Sequence, residues 1–108
     1  MNRIALPNTH GFQMVNTNQI IRCEADSNYT NIFLNCGKKI VVTRQLKALE
    51  NALPEAHFIR VHHSHIINLE YVEQYKRNGK NLLFLSNGDQ VEVSRSRKHE
   101  LMERVRLV

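Results

Sequence analysis

Three histidines stand within four positions: His62, His63 and His65, with Ser64 among them. Imidazoles so close could ligate a metal. In an extended strand, alternate side chains share a face, so His63 and His65 would point the same way, spaced for one ion. Two ligands do not complete a zinc centre, which takes three or four, and His10, His57 and His99 fall at no motif spacing. Ser64 has no strand–turn–helix elbow around it of the kind that exposes a nucleophile. Glu24 and Asp26 are two carboxylates at a strand end, an arrangement typical of a solvated turn. No nucleophile, base and oxyanion donor converge, so the sequence reads as a non-enzyme with no cofactor and no resident metal. His62 alternates with Arg60 and Phe58 and reads as structural, a partly buried imidazole bonding a backbone carbonyl to hold the next loop. His63 and His65, on the other face, are freer to meet a ligand.

A second chemistry needs donors for phosphates and a few side chains able to reach base edges in a major groove. Arg95, Arg97 and Lys98 sit where the last strand enters a final helix, whose first N–H groups favour a phosphate. Asn28, Tyr29 and Thr30 follow a turn and offer hydrogen bonds without a competing charge. His63 can donate to a guanine acceptor or to a phosphate.

These residues depend on short strands and tight turns for their placing. Residues 19–24 and 29–34 read as strands. Asn35-Cys36-Gly37-Lys38 turns the second of these into 39–42, a hairpin signature. Over 43–53 the period changes: Leu46, Leu49 and Leu53 fall on one helical face, Thr43 can cap the start, and Pro54 stops the run. Strand character returns at 58–62 and 66–67. Residues 71–76, 81–86 and 90–94 form a three-stranded meander around Asn78-Gly79, read as a type I′ turn, and Asn87-Gly88. The tail, about 96–106, reads as a short helix capped by Ser96, with Leu101, Met102 and Val105 facing inward. The class is mainly β, with one internal helix and one terminal helix. No βαβ alternation or glycine-rich phosphate loop suggests a nucleotide fold.

The chain's 108 residues suit one domain, 1–108, burying about 65% of the surface its unfolded form exposes. Aromatic residues are 6% and Trp is absent, so no platform for stacking single-stranded bases is evident. The net charge of +5 fits a polyanionic partner, and equally a soluble surface that happens to be basic. Its basic residues gather in three regions. The 95–106 segment holds five basic and two acidic residues. Lys38, Lys39, Arg44 and Lys47 form the second. Lys76, Arg77 and Lys80 form the third, and lysines at hairpin turns are also ordinary solubility features. Cys23 and Cys36 lack redox or zinc spacing and read as reduced thiols in a cytoplasmic protein. No apolar run reaches membrane-spanning length, and the opening residues have no secretory pattern.

The pieces together resemble the LytTR family of DNA-binding output domains of bacterial response regulators. Residues 21–30, with Glu24-Ala25 and Asn28-Tyr29, are similar to its opening strand and turn. Residues 43–50 are similar to its internal helix. Phe58-Ile59-Arg60-Val61-His62-His63-Ser64-His65-Ile66-Ile67-Asn68 resembles its signature, Phe-x-Arg-x-His-[Arg]-Ser-x-x-Val-Asn. Val93-Ser94-Arg95-Ser96-Arg97 resembles its closing element. The resemblance implies about ten strands in three antiparallel sheets. It also implies double-stranded DNA as partner, read by loops in the major groove rather than by a recognition helix. The DNA-contacting set it implies is Asn28, Tyr29, Thr30, Arg44, His63, Ser64, Arg95, Ser96, Arg97 and Lys98. His63 departs from the Arg or Asn frequent there, and histidine donates fewer bonds than arginine. The resemblance further implies a dimer on paired direct repeats and a receiver domain in a longer parent chain, within a two-component phosphorelay regulating transcription. The competing reading is a protein–protein module docking through its β edges or through the Leu46-Leu49-Leu53 face.

Overall fold

Alternating apolar side chains along the central strands force a core on both sides of one sheet. Ile66 faces one side and its neighbour Ile67 the other, and both are buried. The structure, a computed structural model, describes residues 2–108, so Met1 and the domain boundary expected there lie outside the described residues. Ten strands and two helices follow one another: β1 (Arg3–Asn8), β2 (Gly11–Asn16), β3 (Ile20–Asp26), β4 (Tyr29–Leu34), β5 (Lys39–Val42), α1 (Leu46–Ala52), β6 (Phe58–His62), β7 (His65–Asn68), β8 (Val72–Asn78), β9 (Lys80–Leu85), β10 (Gln90–Glu92) and α2 (Lys98–Arg104). Single 3-10 turns sit at Thr17–Gln19, Leu69–Tyr71 and Arg95–Arg97.

The strands form three antiparallel sheets, as expected. They are the β1-β2 hairpin, a five-stranded sheet in the order β5-β4-β3-β7-β6, and the meander β10-β9-β8. One face of the central sheet packs against α1 through Leu46, Leu49 and Leu53, with Leu6 and Val15 from the first hairpin. The other packs against the meander and α2 through Leu83, Val91, Val93 and Leu101. Cys23 lies in the first core, where burial pushes its thiol up to about 12, so it is chemically inert; Cys36 is exposed, and both are free. The molecule is elongated, with extents of 43 × 28 × 24 Å.

Local chemistry explains where the elements differ from expectation. Helix α1 starts at Leu46, not Thr43. The Thr43 N–H bonds the Pro7 carbonyl of β1 at 3.1 Å, which keeps residue 43 on the extended path leaving β5. Gln45 takes the capping position without a side-chain cap. The stop at Pro54 holds: Leu53 is extended at φ −78°, ψ 148°, as a residue before proline must be. At the tail, Ser96 lies inside the Arg95–Arg97 3-10 turn and caps nothing, and α2 begins two residues later. Leu101 is buried and Met102 packs against the core, but Val105 is 38% exposed. The hairpin turns also differ. Asn78 stays in β8 and only Gly79 has positive φ, which excludes type I′. Leu34 and Leu85 each accept from a glycine N–H three residues on, Gly37 and Gly88, and each donates to the carbonyl one residue further. Both loops are therefore type I turns closed by a left-handed glycine, φ +92° in each.

Candidate nucleic-acid interface

Strand polarity places the candidate residues at one end of the central sheet. In the order β5-β4-β3-β7-β6, chain directions alternate. The end of β5, the start of β4, the end of β3, the start of β7 and the end of β6 therefore lie side by side. The loops at this end are the Ser27-Asn28 turn, the Thr43–Gln45 link into α1, and the His63-Ser64 turn. Ser94 extends the row, since its N–H bonds the Val61 carbonyl at 2.8 Å and brings Arg95–Arg97 against the end of β6. Lys98 follows as the first residue of α2. With only seven residues, α2 has little dipole to offer, so any charge for a phosphate here comes from the side chains.

At the first turn, Ser27 adopts left-handed backbone, φ 57°, and leaves Asn28 and Tyr29 exposed, Tyr29 by 46%. Gln45 Nε2 donates to Asn28 Oδ1 at 3.3 Å. Thr30 differs from the expectation that it offers a free donor. It is fully buried, and its hydroxyl donates to the Arg44 carbonyl at 2.8 Å. A side chain so enclosed positions the Arg44 link and does not present itself to a partner. The exposed Arg44 guanidinium folds back onto the Thr43 carbonyl at 2.8 Å.

The histidine cluster is arranged differently from simple strand alternation. A bulge between Arg60 and His62 shifts the register, so His62 pairs with His65 across the turn. Their rings lie 5.2 Å apart, and His63 stands exposed in the turn, 5.8 Å from His62 and edge-on to it. The expected sharing of one face by His63 and His65 is thus replaced by a His62–His65 pair. Among the described residues, no three His, Cys, Asp or Glu side chains are grouped to hold a metal. His62 does hold the loop, but in the opposite sense to that expected: its Nδ1 accepts from the Ser64 N–H at 3.0 Å. The Ser64 carbonyl accepts from the Ala25 N–H at 2.9 Å, tying the turn to β3. His65 Nδ1 is buried and has no hydrogen-bond partner among the described residues, with Glu24 Oε1 at 3.9 Å. Burial holds its pKa below 6.5, aided by His62 and Arg22 and opposed by Glu24 and Glu92.

Arg60 has a role that sequence reasoning left unassigned. Its guanidinium donates from Nε to the His62 carbonyl at 3.3 Å, from Nη2 to the His63 carbonyl, and from Nη1 to Glu50 Oε1 of α1 at 3.1 Å. One side chain therefore clamps the histidine turn to the helix that follows Arg44. The only hint was its place in the signature, because the partners lie across a bulge and on another element. Asn68, the last signature residue, is buried; it donates to the Ile20 carbonyl at 2.9 Å and accepts from the Glu70 N–H at 3.0 Å. Arg22 stacks over Phe33, 4.0 Å from the ring centroid, and pairs with Glu24 at 2.6 Å and Asp89 at 2.8 Å. These cations are internally satisfied. Among the described residues, no carboxylate lies within 4.0 Å of Arg44, Arg95, Arg97 or Lys98.

Residues 10–106 match the family model of the LytTr DNA-binding domain. The chain belongs to that family. This LytTr domain is 29% identical over 101 residues to the sensory transduction protein LytT of Bacillus subtilis, covering 92% of the chain and 42% of LytT. It is 33% identical over 93 residues to the heme-containing CO-sensing transcriptional regulator RcoM 2 of Paraburkholderia xenovorans, covering 83% of the chain and 34% of RcoM 2. The chain thus spans less than half the length of these relatives. Its fold matches a solved LytTr DNA-binding domain from Bacillus cereus with a TM-score of 0.82, covering 99% of both chains at 24% identity. The family is defined by DNA binding, not by an enzymatic reaction.

Proposed function

We propose that this LytTr domain binds double-stranded DNA at specific sites and is the output domain of a longer, cytoplasmic response regulator. The carrying observation is the single row of loops at one end of the central sheet, with Arg44, Arg95, Arg97 and Lys98 beside it, none of which has a carboxylate within 4.0 Å among the described residues. Five strands set about 4.8 Å apart make a row about 19 Å long, wider than a major groove of about 12 Å. The middle of the row enters the groove and its flanks meet the phosphates on either side. His63 and Asn28 stand nearest the middle and read base edges. Arg44, Arg95 and Arg97 bind phosphates, with Tyr29, Ser64, Ser96 and Lys98 completing the surface and Thr30 holding the Arg44 link beneath it. The relatives' greater length supports a sensing or receiver segment elsewhere in the parent protein. Two domains on paired direct repeats give a dimer on DNA.

A salt titration of binding to a selected duplex and to a random one tests this reading. With about five phosphate contacts, affinity falls about 500-fold between 50 and 200 mM salt. Flat binding across that range overturns the proposal. His63→Ala lowers affinity for the selected duplex more than for the random one, and equal losses on both remove His63 as a base reader.

A further inference from the structure

The β8–β9 hairpin carries Lys76, Arg77 and Lys80, which in the sequence look like ordinary solubility residues at a turn. The fold puts them elsewhere. Asn78 pairs with Lys80 across Gly79, and Arg77 with Asn81. The Val93 N–H then bonds the Asn81 carbonyl at 2.9 Å, and the next residue, Ser94, bonds Val61 at the end of β6. Two backbone bonds in succession therefore connect the hairpin tip to the loop end of the central sheet, beside Arg95–Arg97. Lys76, Arg77 and Lys80 are exposed. Lys76 rests over the Phe84 ring at 5.3 Å. Among the described residues, none of the three has a carboxylate within 4.0 Å.

Another basic pair supplies the contrast. Lys38 and Lys39 follow the β4–β5 turn, which strand direction puts at the opposite end of the central sheet. The two clusters have similar composition and exposure, yet only one adjoins the loop row.

We infer that the β8–β9 hairpin is a further DNA-binding element, in which Arg77 and Lys80 contact backbone phosphates that flank the segment held by Arg95–Arg97. The inference rests on the DNA-binding reading above. The contact carries no base information, because ammonium and guanidinium groups on a phosphate set affinity and register rather than sequence. It lengthens the footprint on the side of the meander.

The test compares two double variants of the whole chain, Arg77→Gln with Lys80→Gln and Lys38→Gln with Lys39→Gln. Both change exposed side chains and remove two charges, so the net charge falls equally. The probe is a short random-sequence duplex, with log Kd measured against log salt. The hairpin variant is expected to lower the slope by about 2, since each lost phosphate contact removes about 0.9. The far-end variant is expected to keep the parent slope. An intact slope in the hairpin variant, or equal losses in both, overturns the inference and leaves the domain's DNA binding standing. Absence of DNA binding by the unsubstituted chain overturns both readings together. Thermal melts of both variants confirm that the slopes compare folded proteins.

Discussion

The two ends of the five-stranded sheet are made by the same strands but closed by different chemistry. At the end away from the loop row, neutral groups satisfy one another. Asn35 donates to the Tyr71 hydroxyl at 3.1 Å, Tyr71 donates to the Asn18 carbonyl at 2.6 Å, and Asn68 bridges Ile20 and Glu70. At the loop end a guanidinium does the closing: Arg60 spans two carbonyls of the histidine turn and a carboxylate of α1. Both ends carry surface lysines or arginines. Basic composition therefore does not distinguish them; topology does, by setting Arg44, Arg95, Arg97 and Lys98 beside the Ser27-Asn28 and His63-Ser64 turns at one end.

The sharpest way to break this contrast is at Arg60. Arg60→Met removes the clamp and leaves Glu50 and two carbonyls without their donor. Urea unfolding is expected to show a loss of about 3 kcal/mol, since the ion pair is largely shielded from solvent. Binding to a selected duplex should weaken toward the level of random DNA, because the His63 backbone is no longer fixed. A stable variant with intact preference reduces Arg60 to a surface contact. Asn68→Ala tests the other end. It leaves the buried Ile20 carbonyl without its donor and is expected to cost about 2 kcal/mol in the same measurement, with the ratio of selected to random binding unchanged. A changed ratio shows that the two ends are coupled.

The smallest expected effect concerns acid. His65 is held below 6.5 in the folded chain, chiefly by burial. As pH falls, the unfolded chain takes up this proton first, so stability declines from about pH 6.5 downward until the folded value is passed. His65→Gln should flatten that decline in urea midpoints measured across pH. An unchanged profile removes His65 from the acid limb.

Much of the fold was legible because it is written in local periodicity. The meander, the Leu46-Leu49-Leu53 face and the stop at Pro54 all follow from neighbouring residues. What the sequence hid depends on residues far apart or on one displaced residue. The Arg60–His62 bulge puts His62 beside His65, contrary to strict alternation. The Pro7 carbonyl, from a different sheet, holds Thr43 out of the helix. Thr30 looked available until the Arg44 carbonyl occupied its hydroxyl. The candidate residues could be collected as a set through the resemblance of several segments to the family. Their division into presenters and supports was not, because exposure is a property of the assembled sheet.

The support beneath His63 has a consequence for how such domains diversify. The turn is secured through backbone atoms: Arg60 holds two carbonyls, His62 accepts the Ser64 N–H, and Ala25 bonds the Ser64 carbonyl. None of these bonds uses the side chain at position 63. The scaffold thus leaves the side chain at position 63 interchangeable, so that position can be rewritten by a single codon without the domain relearning how to fold.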